Sequence, residues 1–206
     1  MKKTSLQLQH IDYFKEKGSI LFHDVISEKN LHIFKSALCF LQKKTCRNCW
    51  SLDPILKKLS FNASLISIAL QLAQTSKLRF GFDHVFASLE DLKDFFKPEV
   101  SLAQMSSIDG LEIAALINLS LAPSEEPTPS TFPLSSASGC FFHPKKPLDL
   151  SQIESASGPF FLITFCKPNA RYIHQALDPY THLGKQEGLA FGDLLATPFH
   201  PLLHAH

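Results

Sequence analysis

Apolar residues at helical spacing open the chain. Leu8, Ile11 and Phe14 are followed by Gly18, which predicts a helix of about 10 residues closed by a residue tolerant of positive φ. The mostly apolar run 19–26 is too short for a helix and is bounded by Gly18 and Ser27, so it reads as a buried strand. Ser27 is placed to cap a second helix whose stripe is Leu31, Phe34, Leu38 and Leu41. A third helix is expected over 60–74, from Leu65, Ile68, Ala69 and Leu72. At Lys77 the period switches from 3.6 to 2: Leu78, Phe80, Phe82, His84 and Phe86 are expected on the buried side of one strand over 77–86.

The remainder reads as strand and loop. Residues 111–121 are apolar on both faces, the pattern of a central strand. Four prolines among Ser, Thr and Glu make 122–138 a long loop. Phenylalanine-rich and β-branched segments at 139–143, 160–166, 171–174 and 188–197 suggest successive short antiparallel strands. Helices first and strands afterwards imply an α+β fold with a sandwich or jelly-roll core. The expected organisation is a single domain over 1–206, with 1–75 a mainly helical flank and 76–206 a mainly β core.

Composition narrows the function classes. Lys+Arg 20 against Asp+Glu 19 leaves a net charge of +1, without the cationic excess that phosphate binding demands; a nucleic-acid partner is not expected. The basic cluster Lys43, Lys44 and Arg47 follows a helical pattern and reads as cations at the negative end of a helix dipole. Five cysteines and no hydrophobic leader after Met1-Lys2-Lys3 suggest a reduced, cytoplasmic setting. Cys46-Arg47-Asn48-Cys49 is a lone C-x-x-C, weak support for zinc without a second pair. No apolar run approaches the roughly 20 residues a membrane span needs, so no membrane is expected.

Phe14-x-x-x-Gly18 leads into Ile20-Leu21-Phe22 and Val25-Ile26-Ser27, followed by Asp53-Pro54-Ile55, Ala69–Leu72 and Leu78-Arg79-Phe80, and at the end by Gly192-Asp193-Leu194-Leu195 with His200-Pro201-Leu202-Leu203-His204. In this order the segments resemble the phytanoyl-CoA dioxygenase-like branch of the non-haem Fe(II)/2-oxoglutarate oxygenases. The resemblance implies a distorted double-stranded β-helix, a cupin-like jelly-roll with the N-terminal helices packed on one sheet. It also implies Fe(II) held by two His and a carboxylate, with an Arg pairing the far carboxylate of 2-oxoglutarate.

The chain departs from that pattern. Its sole H-x-D/E is His10-Ile11-Asp12, on a predicted helix where i and i+2 point apart. Ser106-Ser107-Ile108-Asp109 stands where the His-x-Asp pair is wanted, and no Arg follows His204. The metal candidates are therefore Asp109, His200 and His204, with His206 competing, and Arg79 and Arg171 are the candidates for the co-substrate carboxylate. The expectation is a protein of this fold that lacks the standard triad, binds neither Fe(II) nor 2-oxoglutarate tightly, and holds a small molecule or a protein partner in the inherited cleft. The alternatives are an active iron oxygenase with an irregular triad, and an iron- or divalent-metal-responsive regulator.

Overall fold

The computed structural model describes residues 5–40, 46–120, 132–148, 150, 153 and 156–204, with the side chains of 35 and 38–40 outside it. Helix α1 (Leu8–Lys17) ends at Gly18, whose φ of 80° lets its N–H reach back to the Phe14 carbonyl at 2.7 Å. Strand β1 (Ser19–Phe22) takes only the first half of the run expected to be extended. Helix α2 (Glu28–Phe40) buries Leu31 and Phe34; Leu38 and Leu41 of its predicted stripe lie outside the described side chains. Strand β2 (Cys46–Arg47) leads into a 3₁₀ turn (Cys49–Ser51).

The third helix is two helices. Asp53 caps α3 (Pro54–Ser60), accepting from the N–H groups of Ile55 and Leu56 at 2.6 and 3.1 Å, and Asn62 caps α4 (Ala63–Leu72) through Ser64 and Leu65. By length and composition the 19 residues Pro54–Leu72 would suffice to cross a membrane, which corrects the expectation from hydropathy. Here the Asn62 cap breaks them, and Leu56, Leu59, Leu65, Ile68 and Leu72 are buried in protein.

Strands β3 (Lys77–Phe86), β4 (Ile108–Asn118), β5 (Gly139–Phe142), β6 (Phe160–Tyr172) and β7 (Leu202–His204) join β1 and β2 in an antiparallel sheet of order β1-β5-β4-β6-β3-β2, with β7 also on β3. Helix α5 (Leu89–Phe95) follows β3, and α6 (Leu183–Gln186) lies between β6 and β7. The expected strands 160–166 and 171–174 are one strand of 13 residues, and 188–197 contributes only a bridge from Leu194 to Arg171.

One core lies on each face of this sheet. Phe14, Leu31, Leu56 and Leu65 from α1–α4 pack against Ile113, Ala115, Ile117, Phe161, Ile163 and Phe165. Ala114, Leu116, Phe160 and Leu162 point the other way, into a second core with Leu92, Phe96, Phe142, Leu189 and Leu195. A strand apolar at every position is what a sheet covered on both faces requires. The architecture is α+β with a jelly-roll core and the N-terminal helices packed on one sheet.

Strand β3 departs from its expected single face. Its register against β6 shifts between Phe80 and Asp83, and one extra residue flips the side chains beyond it. Leu78 and Phe80 therefore enter the helical core, while Phe82 and Phe86 enter the second one. Gly81 sits at the shift, where a Cβ would lie 2.5 Å from Thr164 Oγ1. That hydroxyl accepts from the Phe82 N–H at 2.8 Å and donates to the Phe82 carbonyl at 3.0 Å, so it serves the backbone groups the bulge orphans.

Candidate functional site

Two short strands share the outer edge of β3, and the bulge lies between them. Residues 77–79 pair with β7, and 84–85 pair with β2. In the gap, the Phe80 carbonyl faces His200 Nδ1 at 3.2 Å and the Asp83 carbonyl accepts from the Asn48 N–H at 3.0 Å. A cavity of about 30 Å³ opens beside it, room for a water or two or for the polar end of a small molecule. Its polar lining is Arg47, Asn48, Ser107, Asp178, Glu187 and His200.

Arg47 is the centre of this lining. Its side chain is 6% exposed, and Nη1 donates to both carboxylate oxygens of Asp178, itself fully buried, at 2.9 and 3.0 Å. The guanidinium carbon lies 4.1 Å from the Phe82 ring centroid and 4.4 Å from that of Tyr180, a cation held between two aromatic faces. Burial pushes the Arg47 pKa down, and Asp178 pulls it back up. Asp178 also accepts from the N–H groups of Ser107 and Tyr180 at 2.8 and 2.9 Å, which compensates its desolvation; stranding one such charge would cost roughly 3–5 kcal/mol.

Arg47 Nε and Nη2, Asn48 Oδ1 and Ser107 Oγ are buried without a protein partner. Buried polar groups are nearly always satisfied, so four such atoms beside one cavity mark a place built for a guest, water or otherwise. In the same lining Glu187 accepts from Asn48 Nδ2 at 3.2 Å and holds His200 Nε2 at 2.8 Å.

Two further buried polar groups lie on β3. Asp83 accepts from the N–H groups of Cys49 and Trp50 at 2.6 and 3.0 Å and from Ser60 Oγ at 2.6 Å, capping the 3₁₀ turn from a distant strand. Burial nevertheless pushes its pKa up to about 6. His84 is fully buried, stacked on Phe86 at 4.5 Å and edge-on to Tyr180. Burial, with Arg47 nearby, holds its pKa well below the usual histidine range.

The sequence candidates are placed apart. Asp109 is exposed on β4 opposite Arg171 of β6. His204 is exposed on β7 opposite Lys77. His200 alone of the three lines the cavity, and His206 lies outside the described residues. Arg79 is committed to the Pro168 and His200 carbonyls at 3.1 and 2.7 Å, and exposed Arg171 donates to the Gly192 carbonyl. Ser107, where the resemblance wants an imidazole, does line the cavity. Arg47, read from the sequence as a helix-end cation, is instead a buried strand residue. Sequence reasoning also missed Asp178, Glu187 and Asn48; the available signals were Gly81 and Asp83 interrupting an apolar strand.

The fold is that of the non-haem, 2-oxoglutarate-dependent enzymes. The non-heme alpha ketoglutarate dependent carbocyclase SnoK from nogalamycin biosynthesis matches with a TM-score of 0.72, over 98% of this chain and 100% of its own, at 16% identity. The epimerase SnoN from the same biosynthesis matches at 0.65 over 94% and 96%, with 12% identity. CT296 from Chlamydia trachomatis matches at 0.55 over 81% and 98%, with 20% identity. At these identities the likeness is one of fold. No family model matches the chain, and no curated protein matches it in sequence.

An iron centre of that class needs two imidazoles and a carboxylate on one side of the metal, and the described residues do not fit it. No three His, Cys, Asp or Glu side chains converge among them. Both His200 nitrogens are engaged, one by the Phe80 carbonyl and one by Glu187.

Proposed function

We propose that this chain is a small-molecule binding protein built on the oxygenase fold, with the Arg47 cavity as its recognition site and no catalytic iron. The observation that carries the reading is the unpartnered guanidinium edge, Nε and Nη2, beside Ser107 Oγ and Asn48 Oδ1. This set offers donors flanked by an acceptor. Asp178 already neutralises Arg47, and Glu187 also lines the cavity. A free carboxylate would meet two acidic side chains, so a neutral group pairing a carbonyl with an N–H or O–H, such as a carboxamide, suits the site better. Protein partners on the outer surface and a cytoplasmic setting belong to the same reading, which involves no nucleic acid.

Calorimetry on untagged protein prepared anaerobically tests it. Fe(II) should not bind near-stoichiometrically, and Fe(II), ascorbate and 2-oxoglutarate should release no succinate above a protein-free control. Small carboxamides should raise the melting temperature of the parent but not of Ser107→Ala. Steady succinate release abolished by His204→Ala or Asp109→Ala would establish an active oxygenase with an irregular triad instead.

A further inference from the structure

The C-x-x-C at 46–49 brackets two residues that line the cavity, Arg47 at the end of β2 and Asn48 after it, yet its sulfurs take no part in that lining. Cys46 sits half-buried on a two-residue strand at the sheet edge, and Cys49 is fully buried at the start of the 3₁₀ turn. Between them Asn48 adopts a left-handed φ of 59°, which folds the chain back so that Cys49 Sγ lies 3.1 Å from the Cys46 carbonyl. Cys46 Sγ in turn lies 3.6 Å from the Arg47 carbonyl, so both thiols donate into the backbone of the same turn. The turn is pinned by the Asp83 carbonyl and carboxylate, which take the N–H groups of Asn48, Cys49 and Trp50. Two thiols at the two ends of one pinned turn, one half-buried and one sheltered, have the arrangement of an attacking and a resolving thiol.

We propose that Cys46 and Cys49 form a redox-active dithiol that closes to an intramolecular disulfide by exchange with a small disulfide of the glutathione class. The Cys46 thiolate attacks one sulfur of the small disulfide, whose S–S bond breaks, and one thiolate leaves and takes a proton. Cys49 then gives up its proton and attacks the Cys46 sulfur of the mixed disulfide, releasing the second thiol. Two protein thiols lose two electrons and two protons, and the small disulfide is reduced to two thiols.

The electrostatics agree with these roles. The neighbouring Cys49 thiol holds Cys46 below its usual range, while Cys46 and burial push Cys49 up. Cys140 and Cys166 are each fully buried and pushed up to about 12, the state of inert core thiols. Among the described residues no third ligand joins the pair to make a zinc site. The bond would tie together the two ends of the turn that carries Arg47 and Asn48, whatever the cavity binds.

The test equilibrates the full chain in glutathione buffers of graded oxidised-to-reduced ratio, followed by acid quench and peptide mapping. The expected product is a Cys46–Cys49 bridge, lighter by two hydrogens and reversed by dithiothreitol. It should be accompanied by a change in the fluorescence of Trp50, the single tryptophan and the neighbour of Cys49. In reduced protein Cys46 should alkylate about tenfold faster than Cys140 or Cys166. Cys49→Ser should stop at a glutathione adduct on Cys46, and Cys46→Ser should leave Cys49 unmodified. Folded protein whose Cys46 and Cys49 stay free in fully oxidised buffer, or bond to other cysteines, would overturn the proposal.

Discussion

Asp83 and His84 are adjacent, both fully buried, and pull stability in opposite directions as pH changes. The Asp83 pKa rises from 3.8 to about 6 on folding, so the folded chain binds the proton more tightly than the unfolded one. Its contribution is present in acid and is lost as pH rises through about 6, on the order of 3 kcal/mol for a two-unit shift. His84 has the reverse sign. Its pKa is depressed, so the unfolded chain takes up a proton below about 6.5 that the folded chain refuses, and stability falls in acid. Asp83→Asn removes the compensating member of the pair. Urea unfolding followed by Trp50 fluorescence should therefore show the variant losing stability more steeply than the parent between about pH 6 and pH 4; parallel profiles would mean that Asp83 holds no raised pKa. None of this was visible in the chain, where Asp83 and His84 look like ordinary members of an alternating strand.

Among the elements, the bulge in β3 decides most about the site. Without the extra residue Phe82 would face the helices, and the cation held between Phe82 and Tyr180 would have no floor. Gly81→Ala should cost roughly 2–4 kcal/mol, because the new methyl displaces Thr164 Oγ1 and orphans the Phe82 backbone. Thermal denaturation of Gly81→Ala, Thr164→Ala and the double variant measures it: the second change removes the hydroxyl that the new Cβ meets, so the two losses should fall short of adding, and an unchanged melting point in Gly81→Ala would contradict the role of the glycine. Elements were legible where one residue pattern fixes them: α1 through its Gly18 stop, β4 through the unbroken apolar run 113–117. The bulge was not, because Leu78, Phe80, Phe82 and Phe86 keep the same parity on either side of it. The pairing of Arg47 with Asp178 spans 131 positions, and no local periodicity encodes a partner at that distance.

For the molecule as a whole, the two cores are faces of one sheet, since successive residues of β4 and β6 enter opposite cores. Loosening either face exposes the same strands. Trp50 fluorescence, which reports the helical side, and far-UV circular dichroism should trace coincident urea transitions; separated midpoints would show that the helical layer melts on its own. The chain order of the sheet has a consequence for synthesis. Among the described residues strand β1, formed by residues 19–22, pairs only with β5 at 139–142, and the start of β3 pairs with β7 at 202–204. A nascent chain leaving the ribosome thus carries the apolar stripes of α1–α4 only partly covered until β6, whose Phe161, Ile163 and Phe165 complete the helical core, has been made. Contacts so distant in sequence are slow to form, and exposed apolar surface in the interval is what chaperones bind and aggregates grow from.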